Sequence, residues 1–385
     1  MKRTGRLLFL LKGLCAFLVL VLAITCVVVR LPQCFNNTDT AVLTAAAFTF
    51  SDGTVGYKDD KKDEPVEEIT EDVPVNNQQP TETTEKPYEK LVRNWDDYYN
   101  TYAPHTGEEK YTVTEKNLTG YGTLYDNFYV QNKTDYPLDI GNLLKEPLGF
   151  EMEKTEDVQV LIVHTHTCES YLDADEGYFY ESFYPRSTDN LFNVTQVGNA
   201  IESVLKEKGI GVVHDKTLHD YPSYNGSYDR SRETINSYLE KYPKIKVILD
   251  IHRDSLGSDT NKTKPTFTYN GKKGAQIMIM SGYDDGSFNF PDWNYNLRFA
   301  LRLQKETETM YPGMTRPLNF GYFDYNMNIN TGSLLVEFGT DANTLEEAVY
   351  SGNLFGNSLA KVLQSWLKFV IITMFIIIFE VKYEV

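Results

Sequence analysis

Cysteine is scarce, and where it sits excludes more than its number does. The 385-residue chain has four, Cys15, Cys26, Cys34 and Cys168. The first two lie in an apolar N-terminal run and the third just beyond it, which leaves Cys168 alone in the remainder. That set can build neither a disulfide framework nor a four-cysteine zinc site. Basic charge is short as well: 37 Lys and Arg against 54 Asp and Glu give a formal net charge of −17. Binding a phosphate backbone needs clustered cations, so no nucleic-acid partner is expected. Part of the acid excess is concentrated between Asp59 and Pro87, in "DDKKDEPVEEITEDVPVNNQQPTETTEKP". No internal repeat is visible.

What is present begins with an apolar N-terminus, "MKRTGRLLFLLKGLCAFLVLVLAITCVVVR". Between Lys12 and Arg30 lie 17 uncharged, mostly apolar residues, and Leu7–Leu11 lengthens the stretch. A helix of that length just spans a hydrocarbon core of about 30 Å. Lys2, Arg3 and Arg6 precede it, which predicts a cytoplasmic tip, one transmembrane helix over 1–30 and everything downstream outside. A cleaved signal peptide is the alternative, although the run exceeds a usual h-region and no small-x-small site follows it closely. Either reading takes the rest of the chain out of the cytoplasm. The anchor reading makes it a single-pass protein of the cell membrane.

Residues 31–87 carry few large apolar side chains after Phe50 and cannot offset the entropy of ordering, which predicts a disordered acidic tether. An upstream extracytoplasmic segment, 88–156, is rich in Tyr and holds "YDNFYVQNKTDYPLDIGNLLKEPL", a short strand, a turn and a helix start. From 157 to 368 the pattern is regular. "VQVLIVHTH", "IGVVHDK", "KVILDIHRDS", "AQIMIMSG" and "GSLLVEFGT" read as strands. Helices are expected over Asn193–Gly209, with Val194, Val197, Ala200, Ile201, Val204 and Leu205 at helical spacing, and over Ser227–Pro243. "NYNLRFALRLQKETETMYPG" and "NTLEEAVYSGNLFGNSLAKVLQSWL" supply two more. Strands alternating with helices predict an α/β fold, a mixed, mostly parallel sheet with helices on both faces. A C-terminal tail, 369–385, contains the apolar "FVIITMFIIIF", about 17 Å as a helix and too short to span a bilayer alone. It either continues the last helix toward a membrane surface or a partner, or is a divergent end.

Two strands end alike, "VLIVHTH" delivering His166 and "VILDIHRDS" delivering His252, and a third places Glu337 within "LLVEFGT". In open α/β sheets ligands bind beyond the carboxyl ends of the strands, so the three positions can meet in one crevice. Of the six histidines, His164, His166 and His252 stand at strand ends near carboxylates, while His105, His214 and His219 lie in ordinary polar settings. A catalytic zinc takes three His or carboxylate ligands and leaves a position open. His166 and His252 supply two, and Glu169, nearest in sequence to His166, is the candidate third, with Glu181 and Asp189 in reserve. A further carboxylate must then move the proton from water to the leaving nitrogen. Glu337 suits that task because a carboxylate inside an apolar run is costly without a charge partner; a structural ion pair with Arg253 is the plainer alternative. Arg253 has the fork to clamp a substrate carboxylate, Asp250 or Asp254 can orient an imidazole, and Cys168 reads as packing.

Taken together, "VLIVHTHTCESY", "ILDIHRDS" and "LLVEFGTDANTLEEA" resemble the stage II sporulation protein P family, cell-wall hydrolases of endospore engulfment. The likeness runs from about Tyr125 to Leu363 and includes "VQNKTDYPLDIGNLLKEPL", with the single N-terminal anchor in its expected place. That family is similar in turn to the zinc-dependent N-acetylmuramoyl-L-alanine amidases, in which one His ends the first strand, another ends a middle strand and the catalytic Glu lies on a late strand. The resemblance implies Zn2+ as cofactor, His166 and His252 as ligands and Glu337 as the catalytic carboxylate. It also implies peptidoglycan as substrate, septal wall degradation, cutting of peptide cross-links besides the sugar–peptide amide, and partners among sporulation membrane or cell-wall proteins such as a lytic transglycosylase. One feature departs from the amidases. Their second ligand is a Glu opening the helix after the first strand, and here that place falls near Asn193 with no carboxylate just upstream closer than Asp189. Glu169 therefore stays the choice. A zinc polysaccharide deacetylase is a rival, though its H-x-x-x-H pair is missing, and a wall-binding scaffold that kept the fold without the metal is another.

Overall fold

The computed structural model describes residue 105 and residues 107–383, with side chains described to residue 364. The expected anchor, the tether and Cys15, Cys26 and Cys34 lie outside the described residues. In chain order the first elements are β1 (Lys110–Lys116), β2 (Thr123–Tyr125), β3 (Phe128–Asn132), α1 (Ile140–Leu143), β4 (Val158–Val163), β5 (Tyr178–Tyr180), α2 (Thr195–Glu207), β6 (Gly211–His214) and α3 (Ser227–Lys241). There follow β7 (Val247–Asp254), β8 (Gly257–Ser258), β9 (Asn261–Tyr269), β10 (Lys272–Ala275), β11 (Ile277–Gly282), α4 (Trp293–Met310), β12 (Leu318–Gly321), β13 (Ser333–Thr340) and α5 (Leu345–Tyr383).

An eight-stranded sheet in the order β2-β3-β12-β11-β13-β7-β4-β6 carries the candidate site. It is mixed, with β2/β3 and β11/β13 antiparallel and the other pairs parallel. β4 and β7, built around the apolar runs Val160–Val163 and Val247–Leu249, are buried along almost their whole length, as strands covered on both faces must be. On one face Val197 and Ile201 of α2, Leu297 of α4 and Leu359 of α5 pack against Ile162, Leu249 and Val336. On the other, Ile235 of α3 meets Leu161, Val163 and Ile248. Alternation along the strands sends successive side chains to these two cores. Phe128 and Val130 of β3 belong to the first core and β3 pairs with β12, so residues ahead of 157 add strands to the same sheet.

A second sheet, β10-β9-β1-β5 with β8 beside β9, was not legible in the sequence. Its longer strands, β1 and β9, mix Lys and Thr with single aromatic or aliphatic residues and carry no aliphatic run. Its clearest signal is Asn270-Gly271 between β9 and β10, where φ is 50° and 75°, as the tight hairpin turn requires. The last helix does not stop near Leu367 but continues as one helix through the apolar segment 369–379 to Tyr383. Among the described residues no helix is long and apolar enough to cross a membrane.

Candidate functional site

Strands β4, β7 and β13 run parallel and adjacent, so β4 and β7 deliver their terminal residues to the edge where β13 places Glu337. Register puts Glu337 opposite His252 on one side and Met278 on the other. Just beyond it the ladder slips at Gly339, whose φ of +69° is open to glycine and whose added Cβ would meet Asn343 Oδ1 at 2.5 Å.

The turn after β4, His164–Ser170, is buried throughout. Asp250 anchors it: the Thr165 N–H donates to Oδ1 at 2.8 Å and the Thr165 hydroxyl to Oδ2 at 2.6 Å. The same carboxylate lies 2.9 Å from Nε2 of His252, whose Nδ1 is 3.5 Å from Oε2 of Glu169. Burial pulls the His252 pKa down, but Asp250 and then Glu169 outweigh it and hold it well above the usual imidazole value. His166 stacks on Tyr224 at 4.4 Å between centroids, meets the His252 ring edge-on at 5.3 Å, and has Ser227 Oγ 3.4 Å from its Nδ1. Burial lowers its pKa to about 4, so it is neutral near pH 7.

Glu169 sits at the centre of this group. Burial pushes its carboxyl up, but Arg253, then His252 and His166, pull it down to about 2. Its Oε2 accepts the Arg253 backbone N–H at 3.1 Å, and its own carbonyl accepts the Val194 N–H at 2.7 Å where α2 begins. The turn after β4 is thereby joined through the Glu169 backbone to the start of α2. Asn193 lies just ahead of that helix, its Oδ1 accepting from the Thr195 N–H at 3.1 Å. Glu181 and Asp189 are exposed, and Asp189 is used in a local turn with the Leu191 N–H.

Arg253 departs from the expectation of a substrate clamp. It is buried, and its fork donates inward, Nε to the Ser170 carbonyl at 3.0 Å and Nη2 to the Pro185 carbonyl at 2.9 Å. Nor does it pair with Glu337 among the described residues; its ion pair is with Glu169, Nη1 to Oε1 at 3.8 Å. Side chains alternate along β7, and Arg253, next to His252, therefore faces the 170–186 loop. Glu337 is half-buried beside Met278, Met280 and Leu335, and its Oε2 has no hydrogen-bond partner among the described residues. Burial, then the charge of Asp254, raises its pKa to about 8. Asp254 is itself tied to Arg316, Nη1 to Oδ2 at 2.8 Å.

Two histidines read as ordinary are not. His214 ends β6 beside β4, and its Nε2 lies 2.8 Å from Nε2 of His164, with Glu202 Oε2 3.4 Å from its Nδ1. His219 is buried, Nδ1 2.7 Å from the His164 carbonyl. Strand adjacency, invisible from spacing, gathers them behind the site. His105 is exposed and stacks on Tyr180. The Cys168 thiol is pushed by burial, and by its bond to Asp220, up to about 12, which disfavours the thiolate. Asp220, Arg186, Tyr224, Tyr228 and Arg316, which also shape the site, carried no sequence signal beyond their types. The His164–His214 contact depends on Gly198 of α2, where an added Cβ would stand 2.5 Å from His214 Nε2 and 2.8 Å from His164 Nε2. Gly198→Ala is expected to cost about 1–3 kcal/mol by overpacking. Thermal unfolding measures it, and an unchanged midpoint would show that the helix yields freely.

Among the described residues no three His, Cys, Asp or Glu side chains stand close enough to form a metal-binding group. The donors nonetheless fit zinc in kind: a neutral imidazole, an ionised carboxylate and a second imidazole backed by Asp250, which would give up a proton on binding the metal.

Comparison with known proteins follows from the whole chain. Stage II sporulation protein P of Bacillus subtilis (strain 168) is 34% identical over 211 residues, covering 50% of this chain and 48% of that protein. The chain thus matches about half the length of that curated relative. Solved structures matched with 55% of this chain and 98–99% of theirs include the Mycobacterium abscessus N-acetylmuramyl-L-alanine amidase Ami1 (14% identity, TM-score 0.33) and the Clostridioides difficile CwlD amidase in complex with the GerS lipoprotein (9% identity, TM-score 0.33). The model of the family Stage II sporulation protein P (SpoIIP) matches residues 48–362, and the chain belongs to that family.

Proposed function

We propose that this chain hydrolyses peptidoglycan at the amide joining N-acetylmuramic acid to L-alanine, with zinc held by His166, Glu169 and His252. One observation carries the reading: Glu337, a carboxylate raised to about 8, stands in register with His252 while Glu169 beside it is held ionised. Two neighbouring carboxyl groups whose surroundings push their pKa values apart are the mark of divided acid–base labour. Zinc, when bound, supplies Lewis acidity to the scissile carbonyl and to water. Glu337, in its ionised form, takes the proton from the attacking water and returns it to the departing amine nitrogen as the carbon–nitrogen bond breaks. Asp250 fixes the His252 ring, and Arg253 keeps Glu169 ionised while tying down the loop that carries it.

Family membership supports a role in wall degradation during sporulation, and we extend it to septal peptidoglycan at engulfment, with other sporulation wall proteins as partners. The apolar N-terminal run supports an anchored, extracytoplasmic placement. Isolated cell walls incubated with the full chain and zinc should release stem peptides with a free N-terminal L-alanine and form no new reducing ends. New reducing ends, released acetate, or intact walls would each overturn the reading, the second in favour of a deacetylase and the third in favour of a scaffold.

A further inference from the structure

Tyr228, on the first turn of α3, has no part in the metal or proton-transfer groups, yet its ring stands between them. It meets the His166 ring nearly at right angles, 5.6 Å between centroids, and stacks on Tyr325 at 5.3 Å. Tyr325 in turn stacks on Phe323 at 5.0 Å, and both pack on Met278, Met280 and Leu335. Met278 is the ladder partner of Glu337, and Leu335 precedes Glu337 by two positions on the same face of β13. The phenol thus spans from a candidate ligand at the end of β4 to the cluster beside the candidate proton-transfer carboxylate.

Several bonds fix it there. The Tyr228 carbonyl accepts from Asn326 Nδ2 at 2.9 Å and from Ser231 Oγ at 3.1 Å. Ser231 Oγ lies 2.7 Å from the hydroxyl of Thr165, which is itself anchored on Asp250. On the facing loop φ is +39° at Tyr325 and +61° at Asn326. Left-handed backbone is an outlier for a side chain as bulky as Tyr, and strain of this kind collects where a site holds a group in place.

The hydroxyl is left over. It donates to none of the described residues, all of the Tyr228 hydrogen bonds being made by its backbone. Burial, then the charge of Asp250 and further contributions from Tyr325, Glu337 and Glu169, holds its pKa well above the usual phenol value, so the group is a neutral O–H at neutral pH. The other strong donors near the centre are engaged: Arg253 turns to the Ser170 and Pro185 carbonyls, and Arg316 is tied to Asp254. Amide hydrolysis places negative charge on the carbonyl oxygen as water adds, and a donor already aimed at that charge costs no reorganisation. We propose that the Tyr228 hydroxyl donates a hydrogen bond to the oxygen of the scissile amide. The proton stays on the tyrosine throughout: the bond strengthens as C=O becomes C–O⁻ and relaxes when the carbonyl re-forms and the C–N bond breaks. The proposal rests on the amidase reading and adds to it the group that steadies the oxygen.

Tyr228→Phe tests this, because it keeps the ring with its contacts to His166 and Tyr325 and removes only the O–H. With the zinc-loaded full chain and a short soluble muramoyl peptide, kcat should fall about 10²–10³-fold while KM, zinc content and melting temperature stay as they are. A phosphinate analogue of the scissile amide, whose tetrahedral anion mimics the adduct, should bind the Phe variant more weakly by a similar factor. A kcat like that of the unaltered chain overturns the assignment, and so does a loss of rate that lowered zinc content, lowered melting temperature or a raised KM accounts for. No free N-terminal alanine from the unaltered chain, with the analogue still bound and bound more weakly by the Phe variant, overturns the amidase reading and leaves the oxyanion donor standing.

Discussion

Replacing Glu337 with Gln is expected to lower hydrolysis of cell walls by at least about a hundredfold, because positioned proton transfer is worth about 10²–10⁴ in rate. The amide keeps the volume and most of the hydrogen-bonding capacity of the side chain and removes only the group that exchanges a proton. Metal content and wall binding should be unchanged. Stability separates this from a structural role. Among the described residues Glu337 has no ion pair to lose, Arg253 being paired with Glu169, and its folded pKa is raised by burial and by Asp254 from 4.5 to about 8. A group shifted that way favours the folded state fully below the unfolded pKa and gives up that contribution as pH rises toward 8. Chelator-treated protein should therefore lose stability between about pH 5 and 8 in the unaltered chain, and Glu337→Gln should flatten that decline. A less stable variant with near-normal release of stem peptides would show that Glu337 is not the proton-transfer group.

How far the site was legible depends on how far each residue is bound to its strand. His166 and His252 terminate apolar runs, and a run of buried β residues announces both the strand and the edge at which it opens. Glu337 stood out because charge inside such a run is expensive. What Arg253 meets turned on which face of β7 the guanidinium takes and on the fold of the 170–186 loop. Both are tertiary facts. The same holds for His214 and His219: only the β4–β6 pairing, Ile162 opposite His214, brings them behind the turn. The second sheet escaped for a different reason. Strands such as β9, polar over Asn261–Lys264 and with Phe267 buried in the main core, have no apolar run to read. Lys264 of β9 is 1% exposed and meets Asp175 and Glu347, at 2.6 Å and 2.7 Å, a burial that no local pattern foretells.

Glu169→Ala is expected to produce the largest combined effect, losing bound zinc and unfolding at markedly lower temperature. The carboxylate is buried between Arg253 and His252, and removing it leaves two cationic groups facing each other out of water. Breaking a buried pair from one side costs about 3–5 kcal/mol. For a domain of this size that is a fall in melting temperature of roughly 10 °C. Arg253 would also lose the acceptor of its backbone N–H, and with it part of the hold on the loop that ends at Pro185. Acid sharpens the test. The Glu169 carboxyl is depressed from 4.5 to about 2, so its contribution to stability is complete above the unfolded pKa and disappears as pH falls through the folded one. The unaltered chain should lose stability steeply below about pH 4.5, and the Ala variant, already without that contribution, should show a shallower acid limb. Glu181→Ala and Asp189→Ala, both at exposed positions, are expected to leave zinc content and melting temperature as they are. Zinc kept by Glu169→Ala but lost by Glu181→Ala would move the third ligand to the β5 loop.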